Sequence, residues 1–481
     1  MTMPSPALGS QPPDEAPTRR RSTELWMMLF ACGIVLFAFL NVVGSLKDQH
    51  LSTIFEYMIA FLVIVLVAHL AIRLWAPYAD PLLLPIATVL NGLGIVMIYR
   101  LNQVGRDGNP GNGGPITTLS HNATTTQIIY SVLGVVVLVL FLRFIKDIKL
   151  LQPYVYVLGL AGLVLIALPA LLPASISGVA GTGAKIQVSI GGFSFQPEEF
   201  GKLLLASSFA SYLVIHGKKL SLLTEKWWIF SLPRRRDLAP ILTVWALSML
   251  LLIFEGDIGT SAVFMGLFVA MLYIATGRRS WAVLGFLMFI IGAFLAAELV
   301  PHVTQRFTAW LDPFSNANLV QPPQPSYQLV QGLYGMGNGG LLGKGLGGGQ
   351  PFWTPLVQSD LIFTAFGEEL GLAGVMALLL LYGLFVQRGL RTAMLVKDDY
   401  SKLLASGLSF MFALQVFVIV GGVTRLIPLT GITTPFLSQG GSSLIASWLL
   451  VAVLARLSDA ARRPAPKPIQ DEGMTQVVSL R

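Results

Sequence analysis

Between Phe254 and Ser261 the chain reads Phe-Glu-Gly-Asp-Ile-Gly-Thr-Ser, which sets two carboxylates, Glu255 and Asp257, at the junction of two long apolar runs. An ionised acid at a transmembrane helix centre costs about 2.5–3.5 kcal/mol, so carboxylates at such a junction face a cavity or a wet edge. A carboxylate held there can take a proton from a hydroxyl. Other acids stand in similar places. Glu198 and Glu199 open an apolar run in Phe195-Gln-Pro-Glu-Glu-Phe-Gly-Lys202, and Glu368 and Glu369 lie some two turns into another that begins near Asp360. Cations accompany them at Lys185, Lys202, Arg306, Lys344 and Arg425. A cation can neutralise an anionic leaving group while a carboxylate activates the attacking hydroxyl.

Each of these residues has a plainer reading. Pro197 with Glu198 and Glu199 describes a helix start whose acids complement the helix dipole. Glu199 and Lys202, three apart, can form an ion pair on one face. Glu368 and Glu369 can be core acids with a structural partner, Arg306 and Lys344 solvated loop charges, and Arg425 a side chain reaching out to the membrane surface. From Gly332 to Gly349 ten of eighteen residues are glycine. Such a segment lets backbone amides approach a phosphate or a sugar, or it is a hinge. Pro435-Phe-Leu-Ser-Gln-Gly-Gly-Ser-Ser443 is a helix start of small residues, suited to close packing or to ligand approach at Ser438.

The elements that position these groups follow from composition. Of 481 residues 54% are hydrophobic and 12% charged, with mean hydropathy +0.71, a balance foreign to soluble domains. Apolar runs predict about twelve membrane helices, near 25–45, 53–75, 80–100, 124–145, 150–173, 198–216, 237–254, 258–277, 280–300, 360–387, 403–424 and 435–456. The fold class is therefore an all-α polytopic bundle. With the N-terminus cytoplasmic, most of the 32 Lys and Arg fall on the cytoplasmic side, leaving Lys47, Arg100, Arg106, Lys185, Lys202, Arg306, Lys344 and Arg425 outside. The positive-inside rule then puts both termini in the cytoplasm and the acids above on the outer half. The net charge of +8 is thus topological rather than a nucleic-acid footprint. The single cysteine, Cys32, excludes an internal disulfide, and the five histidines show no metal-ligand spacing. Gly337–Lys344 fails as a nucleotide loop because Asn338 and Gly345 replace required residues, so no nucleotide is expected. Residues 1–24 and 459–481 read as disordered ends, and 301–359 as a large outer loop with scattered aromatics.

Four segments, in this order, resemble the SEDS family of cell-wall polymerases (shape, elongation, division and sporulation): Gln196-Pro-Glu-Glu-Phe-Gly-Lys202, Asp257-Ile-Gly-Thr260, Asp360-Leu-Ile-Phe363 with Gly367-Glu-Glu-Leu-Gly371, and Pro435 to Ser443. The chain departs from the family at Glu198, where serine is usual, at Glu255-Gly256, where Gln-Pro is usual, and before Gln196, where only Lys185 keeps a cation. The resemblance implies a ten-helix core over 80–458, preceded by two additional helices in 25–79, an arrangement similar to actinobacterial members. It implies an inverting peptidoglycan glycosyltransferase of the cytoplasmic membrane that polymerises lipid II, an undecaprenyl-pyrophosphate disaccharide-pentapeptide, on the outer face. It implies Asp257 as the catalytic base, directly or through a divalent cation, Mg2+ or Mn2+. Lys185, Lys202, Arg306 and Lys344 are the implied leaving-group cations, and Glu199, Glu368, Glu369 and Ser438 the lining of the substrate cavity. A class B penicillin-binding protein is the implied partner. The rival reading from helix count and buried acids is a lipid-linked precursor flippase or transporter. Against it, no matching pair of broken helices is visible in two halves.

Overall fold

The computed structural model describes residues 21–45, 51–104, 123–177, 187–190, 193–221, 225–227, 230–232, 243, 246, 258–315 and 325–464. Its main helices are α1 (Arg21–Ser45), α2 (Leu51–Trp75), α3 (Leu83–Val104), α4 (Ala123–Phe144), α5 (Val155–Leu171), α6 (Glu198–Ser221), α7 (Ile258–Thr276), α8 (Arg279–Leu299), α9 (Pro301–Leu311), α10 (Pro325–Gly339), α11 (Ile362–Leu395), α12 (Asp399–Val423) and α13 (Gly441–Arg462). Two short antiparallel hairpins, Val188–Ile190 with Phe193–Phe195 and Glu225–Trp227 with Phe230–Leu232, are the strands among these residues.

The protein is an all-helical polytopic membrane bundle, and nine of the described helices are long and apolar enough to cross a bilayer. They are α1 to α5, α7 and α11 to α13. The expected spans 198–216 and 280–300 are helical as α6 and α8 but are not among those nine. α6 begins with three charged residues, Glu198, Glu199 and Lys202, which shorten its apolar stretch. All of the expected span 237–254 except residues 243 and 246, most of the tails, Lys185, Glu255 and Asp257 lie outside the described residues.

α3 lies at the heart of the bundle, buried along its whole apolar length, with α1, α4, α11 and α13 against it. α1, α2 and α4 keep one face for lipid: Trp26, Phe30 and Phe37 on α1 are exposed. α5 rests on α6 where Gly162 and Gly201 face each other, since a Cβ on Gly201 would stand 3.1 Å from the Gly162 carbonyl.

One end of the bundle is tied by ionic side chains. Asp80, before α3, takes Arg462, has Arg388 3.9 Å away, and accepts the Leu82 amide at 2.9 Å. Asp459 on α13 accepts the Tyr78 amide at 2.8 Å and Arg463 at 2.6 Å. Arg456 donates to the carbonyls that end α2 and α4, at Trp75 and Leu142. This is the arginine-rich end. Of the carboxylates singled out from the sequence, the described ones, Glu198, Glu199, Glu368 and Glu369, lie at the other.

The loop expected over 301–359 has secondary structure of its own. It folds into α9, α10 and the short turn Pro351–Trp353, and its glycine-rich part packs on α11. α9 is fastened at its C-terminus by Arg425, which donates to the Trp310 carbonyl at 3.0 Å and the Leu311 carbonyl at 2.9 Å. The Trp310 indole donates back to the Arg425 carbonyl at 3.1 Å. A cation on the last carbonyls of a helix also suits the helix dipole. Arg425 thus caps α9 while remaining exposed at the protein surface.

Candidate functional site

The four motifs meet in space. The Gln196 amide donates to Ser442 Oγ at 2.7 Å, joining the start of α6 to the start of α13. Glu198, 3% exposed, accepts a long 3.5 Å hydrogen bond from the Thr260 hydroxyl, which brings the start of α7 beside the start of α6. Thr260 lies three residues beyond Asp257, so the chain that carries Asp257 enters α7 at this junction. The Pro435–Ser443 motif reaches the segment before Asp360: Ser438 Oγ donates to the Ser359 carbonyl at 2.5 Å, and the Gln439 amide donates to the Gln358 carbonyl at 2.8 Å.

Ser438 has its valences occupied. Besides that donated bond, its hydroxyl accepts the Thr434 amide at 2.8 Å, and its carbonyl accepts from Gln127 at 3.1 Å. It shapes the turn of its own motif. That turn runs close to α3, because a Cβ on Gly94 would come within 2.6 Å of the Phe436 carbonyl. A second turn, 429–432, presses on the start of α7, where a Cβ on Gly259 would collide with Ile432 and Thr430. Arg306 holds that turn from α9 by donating to the Leu429 and Thr430 carbonyls. Its Nη1 therefore serves backbone.

Glu199 and Lys202 form a buried ion pair at 2.9 Å, with side chains 6% and 1% exposed. Buried charges at this depth persist only when paired. The pair brings no net charge to the site. Of the four candidate leaving-group cations, Lys202 is neutralised, Arg306 is bonded to carbonyls, Lys344 is exposed, and Lys185 is not described.

The acids of α11 have partners that spacing did not reveal. Glu369 pairs with Arg100 of α3 at 3.1 Å, both side chains all but fully buried. Its other oxygen accepts the Gly347 amide at 3.0 Å. Arg100 also donates to the carbonyls of Gly347, at 3.2 Å, and Gly349, at 2.9 Å. Glu368 accepts the Gln350 amide at 2.9 Å and Asn338 at 3.2 Å. The available signal was Arg100 itself, a cation in an apolar helix with no partner in its own segment.

Below these carboxylates α11 is broken. Gly371 has φ +67°, a conformation that L side chains rarely adopt. The break frees the carbonyls of Glu368 and Glu369, and they accept the amides of Lys344 at 3.0 Å and Gly345 at 2.9 Å. The amides of Leu372 and Ala373, also deprived of helical partners, donate to the carbonyls of Gly340 and Leu341, each at 3.0 Å. The glycine-rich segment is therefore a splice in a broken helix. Several of its amides, those of Gly343, Lys344, Gly345, Gly347 and Gly348, already have protein acceptors. Glycine is required where the two backbones touch: a Cβ on Gly343 would strike the Glu369 carbonyl, and one on Gly371 would come within 2.7 Å of the Leu341 carbonyl.

Such a site combines buried carboxylates, an exposed lysine on a clamped loop, and the start of α7, which Asp257 precedes in the sequence. That donor set suits proton removal from a hydroxyl and neutralisation of an anion. The family model described as cell cycle protein, FtsW/RodA/SpoVE, matches residues 80–463. The chain is 45% identical over 446 residues, 92% of each protein, to the peptidoglycan glycosyltransferase RodA of Mycobacterium tuberculosis. It is 31% identical over 394 residues to stage V sporulation protein E of Bacillus subtilis, covering 80% of this chain and 98% of that one. Among solved structures it resembles a chain of a peptidoglycan synthase complex, with TM-score 0.60, 22% identity, and 80% and 99% of the two chains covered. It also resembles the rod shape determining protein RodA of Thermus thermophilus, with TM-score 0.54, 24% identity, and 80% and 98% covered. The fold is thus shared well beyond the range of close sequence likeness, and the chain belongs to the FtsW/RodA/SpoVE family of polytopic membrane proteins, the SEDS family.

Proposed function

We propose that this chain is a peptidoglycan glycosyltransferase that polymerises lipid II at the outer face of the cytoplasmic membrane, in the service of elongation and cell shape. The observation that carries the reading is the set of bonds that links the motifs: Thr260, three residues past Asp257, to Glu198, Gln196 to Ser442, and Ser438 to Ser359 beside Asp360. Identity of 45% to a relative that bears this activity in its name supports it. In the proposed reaction Asp257 takes the proton of the acceptor's GlcNAc 4-hydroxyl. The hydroxyl oxygen attacks the anomeric carbon of the donor's MurNAc with inversion, and undecaprenyl pyrophosphate departs as the anion. One base suffices, because a pyrophosphate neutralised by a cation leaves without an acid. Lys344 and Lys185 are the proposed cations. Glu199, Glu368 and Glu369 set the geometry through Lys202, the glycine-rich segment and Arg100. Arg306 steadies the turn against α7.

A divalent cation, Mg2+ or Mn2+, is a further proposal. Among the described residues no three of His, Cys, Asp and Glu cluster, so its protein ligand would be Asp257. Magnesium is commonly held by one or two carboxylates with substrate phosphates and water, which fits that donor set. Such an ion would acidify the hydroxyl and offset phosphate charge.

The proposed topology has twelve helices, ten in the core and two before it, with both termini cytoplasmic. A class B penicillin-binding protein is the proposed partner, a reading to which the likeness to a synthase-complex chain lends support. A flippase reading has one feature in its favour, the broken helix at Gly371. That break is filled by the glycine-rich segment, and among the described residues no second broken helix matches it in another half. The deciding experiment uses purified protein and fluorescent lipid II. The natural chain makes glycan strands, and Asp257→Ala lowers the rate by about 10²–10⁴, the usual worth of a positioned base. Undiminished polymerisation by that variant overturns the assignment.

A further inference from the structure

The helix pair α1 and α2 precedes the part of the chain that the family model matches, and nothing in the proposed chemistry calls on it. Its contacts at the site end are specific. Phe39 of α1 and Tyr57 of α2 meet the ring of Tyr99 edge-on from two sides, each with ring centroids 5.7 Å apart. Tyr99, fully buried, is the neighbour of Arg100 on α3. Farther down α3, Gly92 leaves room for Phe61 of α2, which a Cβ would approach to 2.9 Å, and for Val35 of α1. The C-terminal turn of α1 touches the glycine-rich segment directly: a Cβ on Gly347 would collide with the Ser45 hydroxyl and come within 3.3 Å of the Val42 carbonyl. Gly347 is the residue whose amide reaches Glu369 and whose carbonyl accepts from Arg100.

We infer that Arg100 is a positioning residue that holds the glycine-rich segment, and through it Lys344, on the broken helix, and that α1 and α2 are the mount of Arg100. Arg100 binds a carboxylate on α11 and two carbonyls of the segment at once. Its planar fork with fixed donors suits a three-point bond that a lysine cannot reproduce. The two added helices fix the end of α3 from which that fork extends, and α1 closes the far side of Gly347. The part assigned to Lys344 rests on the polymerase reading above; the mechanical part does not.

The test compares full-length Arg100→Gln, Ser45→Phe and Arg100→Lys with the natural chain, and uses Phe37→Ala, on the lipid-facing side of α1, as control. Hydrogen exchange in detergent reads the amides of residues 340–350, thermal unfolding reads the fold, and lipid II polymerisation reads kcat and KM separately. Exchange over 340–350 rises tenfold or more in Arg100→Gln and Ser45→Phe, and less in Arg100→Lys. In the first two kcat falls about tenfold while KM changes less than threefold, and Phe37→Ala matches the natural chain. Unchanged exchange in Arg100→Gln and Ser45→Phe overturns the inference. So does a rise that spreads evenly over the whole chain in all three variants, because that marks general destabilisation. If exchange rises locally but the natural chain makes no polymer, the mount stands and the polymerase reading falls.

Discussion

At the arginine-rich end of the bundle, Asp80 and Asp459 meet Arg462, Arg388, Arg463 and Arg456, and the helix segments they join are regular there. At the other end Glu368 and Glu369 meet Arg100, Asn338 and the amides of Gly347 and Gln350, and the helix beneath them is broken. Both ends bury carboxylates that are nearly inaccessible. At the first, charge ties helix ends together and caps the backbone of helices that stay regular up to their ends. At the second, charge stabilises backbone that has left regular structure, and irregular backbone at membrane depth survives only where protein or water satisfies it. Buried charge in this protein thus marks two jobs, stapling and scaffolding, and the regularity of the backbone beside it tells them apart.

Substitutions can break this distinction. The largest effect is expected for Glu369→Ala, which leaves Arg100 without its carboxylate. A buried charge deprived of its partner costs about 3–5 kcal/mol, and thermal unfolding should record it together with loss of polymerisation. Gly371→Ala comes next. A positive φ costs an L residue about 1–2 kcal/mol, and the new methyl group also presses on Leu341. Exchange of the Leu372 and Ala373 amides should rise, with kcat falling more than the unfolding temperature suggests. Asp459→Ala tests the stapling end. It removes the acceptor of the Tyr78 amide and an arginine partner, for about 1–3 kcal/mol. The purified variant should nonetheless keep its kcat; a kcat loss as large as that of Glu369→Ala would erase the distinction. The smallest effect belongs to Arg463→Ala, whose side chain is 55% exposed. A pair so open to solvent is worth about 0.2–1 kcal/mol, so both activity and unfolding temperature should stay near those of the natural chain.

Much of this was legible in the residues. Hydropathy located nine of the twelve expected spans among the described residues, because apolar runs of 18 or more have few other uses. The motifs are linked by the bonds of Gln196 with Ser442, of Thr260 with Glu198, and of Ser438 with Ser359 beside Asp360. Partnership was harder. Glu199 and Lys202 are three residues apart, so their pairing is local and could be read from spacing. Glu369 and Arg100 are separated by 269 positions, and no periodicity connects them. The glycine-rich segment misled for a related reason. Glycine makes a backbone adaptable, but whether it approaches a ligand or a neighbouring helix depends on the break at Gly371, and Glu-Glu-Leu-Gly within an apolar run reads as continuous helix.

The splice at Gly371 has a consequence for how the 340–350 segment can vary. Its four backbone bonds pair Lys344 and Gly345 with Glu368 and Glu369, and Gly340 and Leu341 with Leu372 and Ala373, in step. Loops of proteins ordinarily tolerate changes of length. This one is indexed to a helix as a strand is indexed to its neighbour. One added residue between Leu341 and Lys344 would set the two pairs of bonds out of phase, so that satisfying one pair breaks the other. Length, more than composition, is therefore what this loop has to conserve.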